Sequence, residues 1–232
     1  MTVDSHQPLG TDDPSRARFH AKSTLLVPLA PEHTAGLRNL ELSEELAFRW
    51  RHGGSHPAPD QYAASLWTDV LCNFLVFDTS SSDGSPIGLV SAYQPDHPNG
   101  HCRIAAARFA PSTVAGRHVL RGAMLLLDHV FRGWPFRKVY FEVPEYNLPQ
   151  FSSGIGTLLI EEARLADYLY LDGRYWSMCF LAMTREHWDS ERQRVWPFLY
   201  GTADANGASV RVSTASCRDR LSTDDRSNPI TP

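Results

Sequence analysis

Three groups of residues could carry chemistry. The first is Gly116-Arg117-His118-Val119-Leu120-Arg121, where an apolar-periodic run begins. The first N–H groups of a helix lack internal partners and carry partial positive charge, so a helix opening here could receive a phosphate. Gly116 permits close backbone approach, and Arg117, His118 and Arg121 add cationic charge within one turn. A helix start with solvated basic residues explains the same letters. The second group is Glu142-Val143-Pro144-Glu145-Tyr146-Asn147, at the end of an apolar run. Glu142 or Glu145 could take a proton from a reacting group, or could be a cross-strand charge. Asn147 fits a turn. The third is Ser152-Ser153, a pair of hydroxyl donors or a helix cap. His52-x3-His56 and His97-x3-His101 have metal-like spacing, but Pro57, Pro98 and Gly100 argue against helices there. No thiol or carboxylate completes either pair, so no metal is expected.

Positioning these groups takes a core, and the composition supplies one. The chain has 232 residues, 42% of them hydrophobic and 11% aromatic, which excludes wholesale disorder and points to one domain with tails. Twenty-two Lys and Arg against 26 Asp and Glu give a net charge of −4, which argues against a dedicated nucleic-acid binder. Cys72, Cys102, Cys179 and Cys217 are widely spaced, which fits a reduced, cytoplasmic protein. The first twenty residues hold no apolar stretch of a secretory signal, and no run is long enough to span a bilayer.

Residues 1–21 are polar and read as a disordered leader, and 191–232 as a mostly disordered C-terminal extension; the domain is expected over 22–190. Alternation predicts a strand over 23–30, followed by helices over 31–42, 43–51 and 59–68. Three antiparallel strands should follow, at 73–78, 87–93 and 101–109. A long helix over 116–132 carries apolar residues at i, i+3 and i+4. Lys138-Val-Tyr-Phe-Glu-Val reads as a strand, 158–169 as a helix, and Asp172-Gly173 as the turn of a hairpin between 168–171 and 175–184. The class is α+β with a mixed, mostly antiparallel central sheet flanked by helices.

Three stretches in this order resemble the GNAT (Gcn5-related N-acetyltransferase) superfamily, closest to its ribosomal-protein-alanine-acetyltransferase-like branch. They are LLVPLAPEHTAGLRNL, GRHVLRGAMLLLDHVF, and FRKVYFEVPEYNLPQFSSG followed by ARLADYLYLDGRYWSMCFLAMTREHW. The cofactor loop departs from the family pattern Arg/Gln-x-x-Gly-x-Gly/Ala: this chain has Val114, Ala115, Gly116, Arg117, His118 and Val119. The resemblance implies transfer of an acetyl or other acyl group from acyl-CoA to a primary amine, by direct attack in a ternary complex. On that reading Gly116, Arg117, His118, Val119, Leu120 and Arg121 hold acetyl-CoA, with Asn147 on its pantetheine arm. Glu142 takes the amine proton, directly or through water, and Ser152 or Ser153 protonates the leaving thiolate. The acceptor is a small-molecule amine or a protein N-terminus, walled by residues such as Tyr62, Trp67, Trp176 and Glu186. No nucleic acid or membrane partner is implied, and many relatives pair as homodimers. The degenerate loop suits an alternative, a non-catalytic protein that binds acyl-CoA or a partner.

Overall fold

The computed structural model describes residues 19–43, 46, 48–49, 51–82, 84–109, 113–151 and 154–200. Among the described residues eight strands form one sheet: β1 (His20–Ala21), β2 (Thr24–Pro28), β3 (Val70–Asp78), β4 (Gly88–Asp96), β5 (His101–Arg108), β6 (Lys138–Pro144), β7 (Ile160–Leu171) and β8 (Arg174–Thr184). Their order is β1-β2-β3-β4-β5-β6-β8-β7. Every neighbour pair is antiparallel except β5–β6, which is parallel. The helices are α1 (Thr34–Glu41), α2 (Pro59–Ser65), α3 (Thr113–Gly133) and α4 (Arg185–Tyr200). Short 3-10 turns occupy Pro31–His33 and Glu145–Phe151. No described helix is long and apolar enough to cross a membrane.

Strand alternation divides the core into two layers. Phe74 and Val76 of β3, Val90 of β4 and Ile104 of β5 face α3. Leu75 and Phe77 of β3, Leu89 and Ala107 turn the other way and pack with Leu37 of α1 and Tyr62 of α2. Two glycines let α3 sit tight on the sheet. A Cβ at Gly88 would lie 2.4 Å from Val119 Cγ2, and one at Gly122 would lie 3.1 Å from Leu26 Cδ2.

The α+β reading and the first five expected strands match the structure within a few residues. Three expectations change. The helix expected over 158–169 is instead β7, paired with β8 from Ile160 to Leu171. β8 would otherwise leave a row of open backbone groups, and pairing them outweighs the helical spacing of Leu158, Leu165 and Leu169. The ordered fold also continues past residue 190. Helix α4 ends at Tyr200 and buries Trp188, Val195 and Leu199 against α3. Part of the helix expected over 43–51 lies outside the described residues, and Leu46, Phe48 and Arg49 there are in turns. Most of the expected leader and tail also lies outside them. The Asp172-Gly173 turn is as read: φ is +52° and +80°, the two left-handed positions of a type I′ hairpin.

Candidate active site

The site begins where β5 and β6 separate. They pair only at His101–Lys138, Cys102–Val139 and Arg103–Tyr140. Beyond those positions each strand stays bound on its outer side alone, β5 to β4 as far as Arg108 and β6 to β8 as far as Pro144. The result is a wedge whose inner walls carry backbone groups without ladder partners across the gap. Pro144 has no N–H to offer a ladder, so β6 ends there.

Helix α3 starts at Thr113, three residues before the expected start, so Gly116 lies within the first turn. Arg117 is exposed. A Cβ on Gly116 would stand 3.3 Å from Nη1 of Arg108, the last residue of β5. Arg108, Gly116 and Arg117 thus come together where β5 gives way to the helix, a cationic place with close backbone access.

The other basic residues of this stretch turn away from it. His118 and Arg121 are each 5% exposed and face β2 and β3. Arg121 Nη1 donates to Thr24 Oγ1 at 3.0 Å, and its Nε donates to the Phe198 carbonyl at 3.2 Å. Thr24 Oγ1 lies 2.7 Å from His118 Nδ1, and His118 Nε2 lies 3.4 Å from Asp78 Oδ2. The Asp78 carboxylate can only accept, so in the neutral ring Nε2 carries the hydrogen and Nδ1 accepts from the Thr24 hydroxyl. Burial lowers the His118 pKa below its usual value, a shift that the Asp78 carboxylate opposes. Val119 is buried in the core and Leu120 is half-buried. His118 and Arg121 therefore fasten the helix to the sheet.

On the face away from α3, Glu142 Oε1 is 2.7 Å from Arg103 Nε on the neighbouring strand. Tyr93 of β4 lies near the same carboxylate; burial, then the charge on Glu142, pushes the phenol up to about 12. Three strands thus converge on one carboxylate at the mouth of the wedge. Glu145 instead pairs with Arg164 at the exposed β7 edge, 3.3 Å away. Asn147 Oδ1 accepts from Gln150 Nε2 at 3.1 Å within the 3-10 turn. Ser152 and Ser153 lie outside the described residues.

Beside Glu142, Tyr146 meets Trp176 of β8 edge-on at 5.1 Å between ring centres, and the Arg174 guanidinium stacks on Trp176 at 3.3 Å. Arg49, between α1 and α2, reaches Asp172 at the hairpin tip at 3.4 Å. Of the expected walls, Trp176 is here, but Tyr62 is fully buried and donates to Glu41 at 3.0 Å. Trp67 is 46% exposed. Glu186 follows the end of β8 that pairs with Lys138, at the closed end of the wedge.

No family model matches the sequence, and no curated protein is similar to it in sequence. Solved structures do match. One is a spermidine N-acetyltransferase from Vibrio cholerae in complex with CoA and spermine: TM-score 0.57, 18% identity, covering 72% of this chain and 98% of that one. A protein of the GNAT family from Chromobacterium violaceum gives TM-score 0.57 and 19% identity over 74% and 92% of the two chains. RimL, the ribosomal L7/L12 alpha-N-protein acetyltransferase, in complex with CoA, gives 0.56 and 13% over 71% and 95%. The chain has the GNAT fold.

Within this GNAT fold the sequence reading missed Tyr93, Arg103 and Arg108. Arg103 and Glu142 occupy same-face positions on strands that become neighbours only across the long α3 crossover. Nothing local announces that pairing. Tyr93 sits where the β4–β5 register shifts, beside Gln94 at φ +46°.

Proposed function

We propose that the protein is an acyl-CoA-dependent N-acyltransferase, moving an acetyl or other acyl group to a primary amine in a ternary complex. One observation carries the reading: the β5–β6 wedge opens toward the cationic α3 start on one side and toward Glu142 on the other. The donor enters from the helix side. Its phosphates meet the free backbone N–H groups of the first turn of α3, up to Ala115, together with Arg108 and Arg117. The thioester lies between the strands, where unpaired N–H groups of the wedge wall polarise its carbonyl. The amine approaches from the Glu142 face and attacks the carbonyl carbon. Glu142, directly or through water, takes the amine proton. The C–S bond breaks with its electron pair on sulfur; Ser152 or Ser153 passes a proton to the thiolate and regains one from water, while Glu142 returns the amine proton to solvent. Asn147 holds the 3-10 turn that flanks the wedge. Positioning is the main contribution, since effective molarity alone supplies up to about 7–11 kcal/mol in well-oriented systems.

The structural neighbours act on spermidine or on the N-terminus of a ribosomal protein, so both acceptor classes belong in the test. Calorimetric titration of the full chain with acetyl-CoA should give micromolar binding that Arg117→Glu weakens at least tenfold. Thiol release with spermidine or an N-terminal peptide then tests turnover. A second reading, binding without turnover, is favoured by the single displaced glycine of the loop. It predicts the same titration with no thiol released by any amine.

A further inference from the structure

On the sheet face away from α3, an open trough runs on from Glu142. Strand partners share a face, and Glu142 pairs with Phe180 and Pro144 with Met178. Two residues before Met178 stands Trp176, which meets Tyr146 edge-on. Cys179, Leu181 and Met183 point the other way and are buried on the α3 side. Phe180, Met178 and Trp176 are half-buried, since α1 and α2 pack over β3 and β4 instead. The trough therefore has a largely apolar floor, with the Glu142–Arg103 pair at one end.

The other end is cationic. The Arg174 guanidinium lies over the Trp176 ring, 3.3 Å from its centre. Stacking of this kind pre-orders the guanidinium and leaves its N–H edge for a carboxylate. Among the described residues Arg174 has no ion-pair partner. Asp172, two residues away, is taken by Arg49, and Glu145 by Arg164. One positive charge is thus left over at Trp176. From Phe180, opposite Glu142, to Trp176 is four residues of strand, roughly 13 Å. A peptide whose N-terminal amine stands at Glu142 covers that length in about four extended residues. A carboxylate near its fourth residue would meet Arg174, whereas a polyamine would bring a second cation against it.

We propose that the acceptor is an extended peptide N-terminus with acidic residues near its fourth position, laid along this trough and held by Arg174. The inference rests on the N-acyltransferase reading above and names the acceptor of that same site. Arg174 and Trp176 select the acceptor and take no part in the transfer of the acyl group.

The test uses the full chain and two C-terminally amidated peptides, Ser-Ala-Ala-Asp-Asp-Ala and Ser-Ala-Ala-Lys-Lys-Ala, with spermidine as a third acceptor. Calorimetric titration should show the acidic peptide binding about tenfold more tightly than the basic one. Thiol release from acetyl-CoA should rank the acceptors the same way in KM, with spermidine no better than the basic peptide. Arg174→Glu should erase or reverse the preference. Arg174 is exposed beside a hairpin turn, so the fold should survive the change. Should the melting curve show damage, Arg174→Gln removes the charge alone and should bring the two peptides to within about threefold of each other. Equal binding of the two peptides, binding of neither, or a preference that survives a folded Arg174 variant overturns the proposal. Binding and turnover separate the two readings. An Arg174-dependent preference with no thiol released from any amine keeps the acidic-peptide trough and fails the acyltransferase. Thiol released equally well with all three acceptors keeps the acyltransferase and fails the trough.

Discussion

The two halves of the sheet are built on different terms. Strands β2 to β5 are covered on both faces, by α3 on one side and by α1 and α2 on the other. Strand β7, at the far edge, is exposed along nearly its whole length, with Ile160 at 54% and Tyr168 at 59%. It is guarded by Glu161, Glu162 and Arg164 and by two register shifts, devices that discourage pairing with another edge. The first half gains its stability from burial. The second half depends on β8 and on α4, which is anchored by Trp188. The wedge lies at the seam, with one wall in each half.

The largest effects should separate these halves. Leu126 is fully buried in α3, and Leu126→Ala should cost about 3–5 kcal/mol in urea unfolding. Trp188→Ala should cost a similar amount, since it empties a site 1% exposed and removes the Nε1 bond to Asp128, 3.4 Å away. Leu165→Ala in β7, where the side chain is 41% exposed, should stay within about 0.5 kcal/mol. A Leu165 cost matching that of Leu126 would break the comparison.

The same contrast explains what could be read from the sequence. In β3, β4 and α3 each residue's face is fixed by one dominant partner, so a local period reports the tertiary structure. β7 buries almost nothing, so its letters carry no strong period. Leu158, Leu165 and Leu169 imitate a helix, and only the open edge of β8 decides otherwise. Helix α4 was equally hard to see. It holds to the core through three apolar side chains, Trp188, Val195 and Leu199, spread over about three turns. In the site, Gly116, Arg117 and Glu142 were legible because each marks the end of a strong element. The Tyr93–Arg103–Glu142 convergence was not, because it joins strands on both sides of a crossover.

Within α3, two arginines four residues apart sharpen the comparison. Arg121 is buried and bonded to Thr24 and Phe198, so Arg121→Met should cost about 1–3 kcal/mol by leaving the Thr24 hydroxyl and the Phe198 carbonyl without their donor. Arg117 is exposed, and Arg117→Glu should leave the unfolding midpoint nearly unchanged while weakening CoA binding. If the two swapped roles, the division of this helix into anchor and anion site would fail. Glu142→Gln should lower kcat about 10²-fold if the carboxylate takes the proton, with little change in acyl-CoA affinity. An unaltered kcat would give Glu142 a purely structural pairing with Arg103.

The anchor also sets a pH dependence. Burial lowers the His118 pKa in the folded protein below its unfolded value of 6.5. The unfolded chain therefore takes up this proton first as the solution is acidified. Stability is fully present above pH about 6.5 and falls as the pH drops through that value toward the lowered folded pKa. One such group contributes at most about 1.4 kcal/mol per pH unit. His20 and His52 are also lowered by burial and add in the same direction. A protonated His118 would donate from Nδ1 to Thr24, which already accepts from Arg121, and the Thr24 hydroxyl hydrogen would lose its acceptor. Melting curves between pH 7.5 and 5 should therefore fall more steeply for the wild type than for His118→Gln, with the α3 side of the sheet as the weakened region. Equal slopes would mean that the Thr24–His118–Asp78 chain tolerates the extra proton.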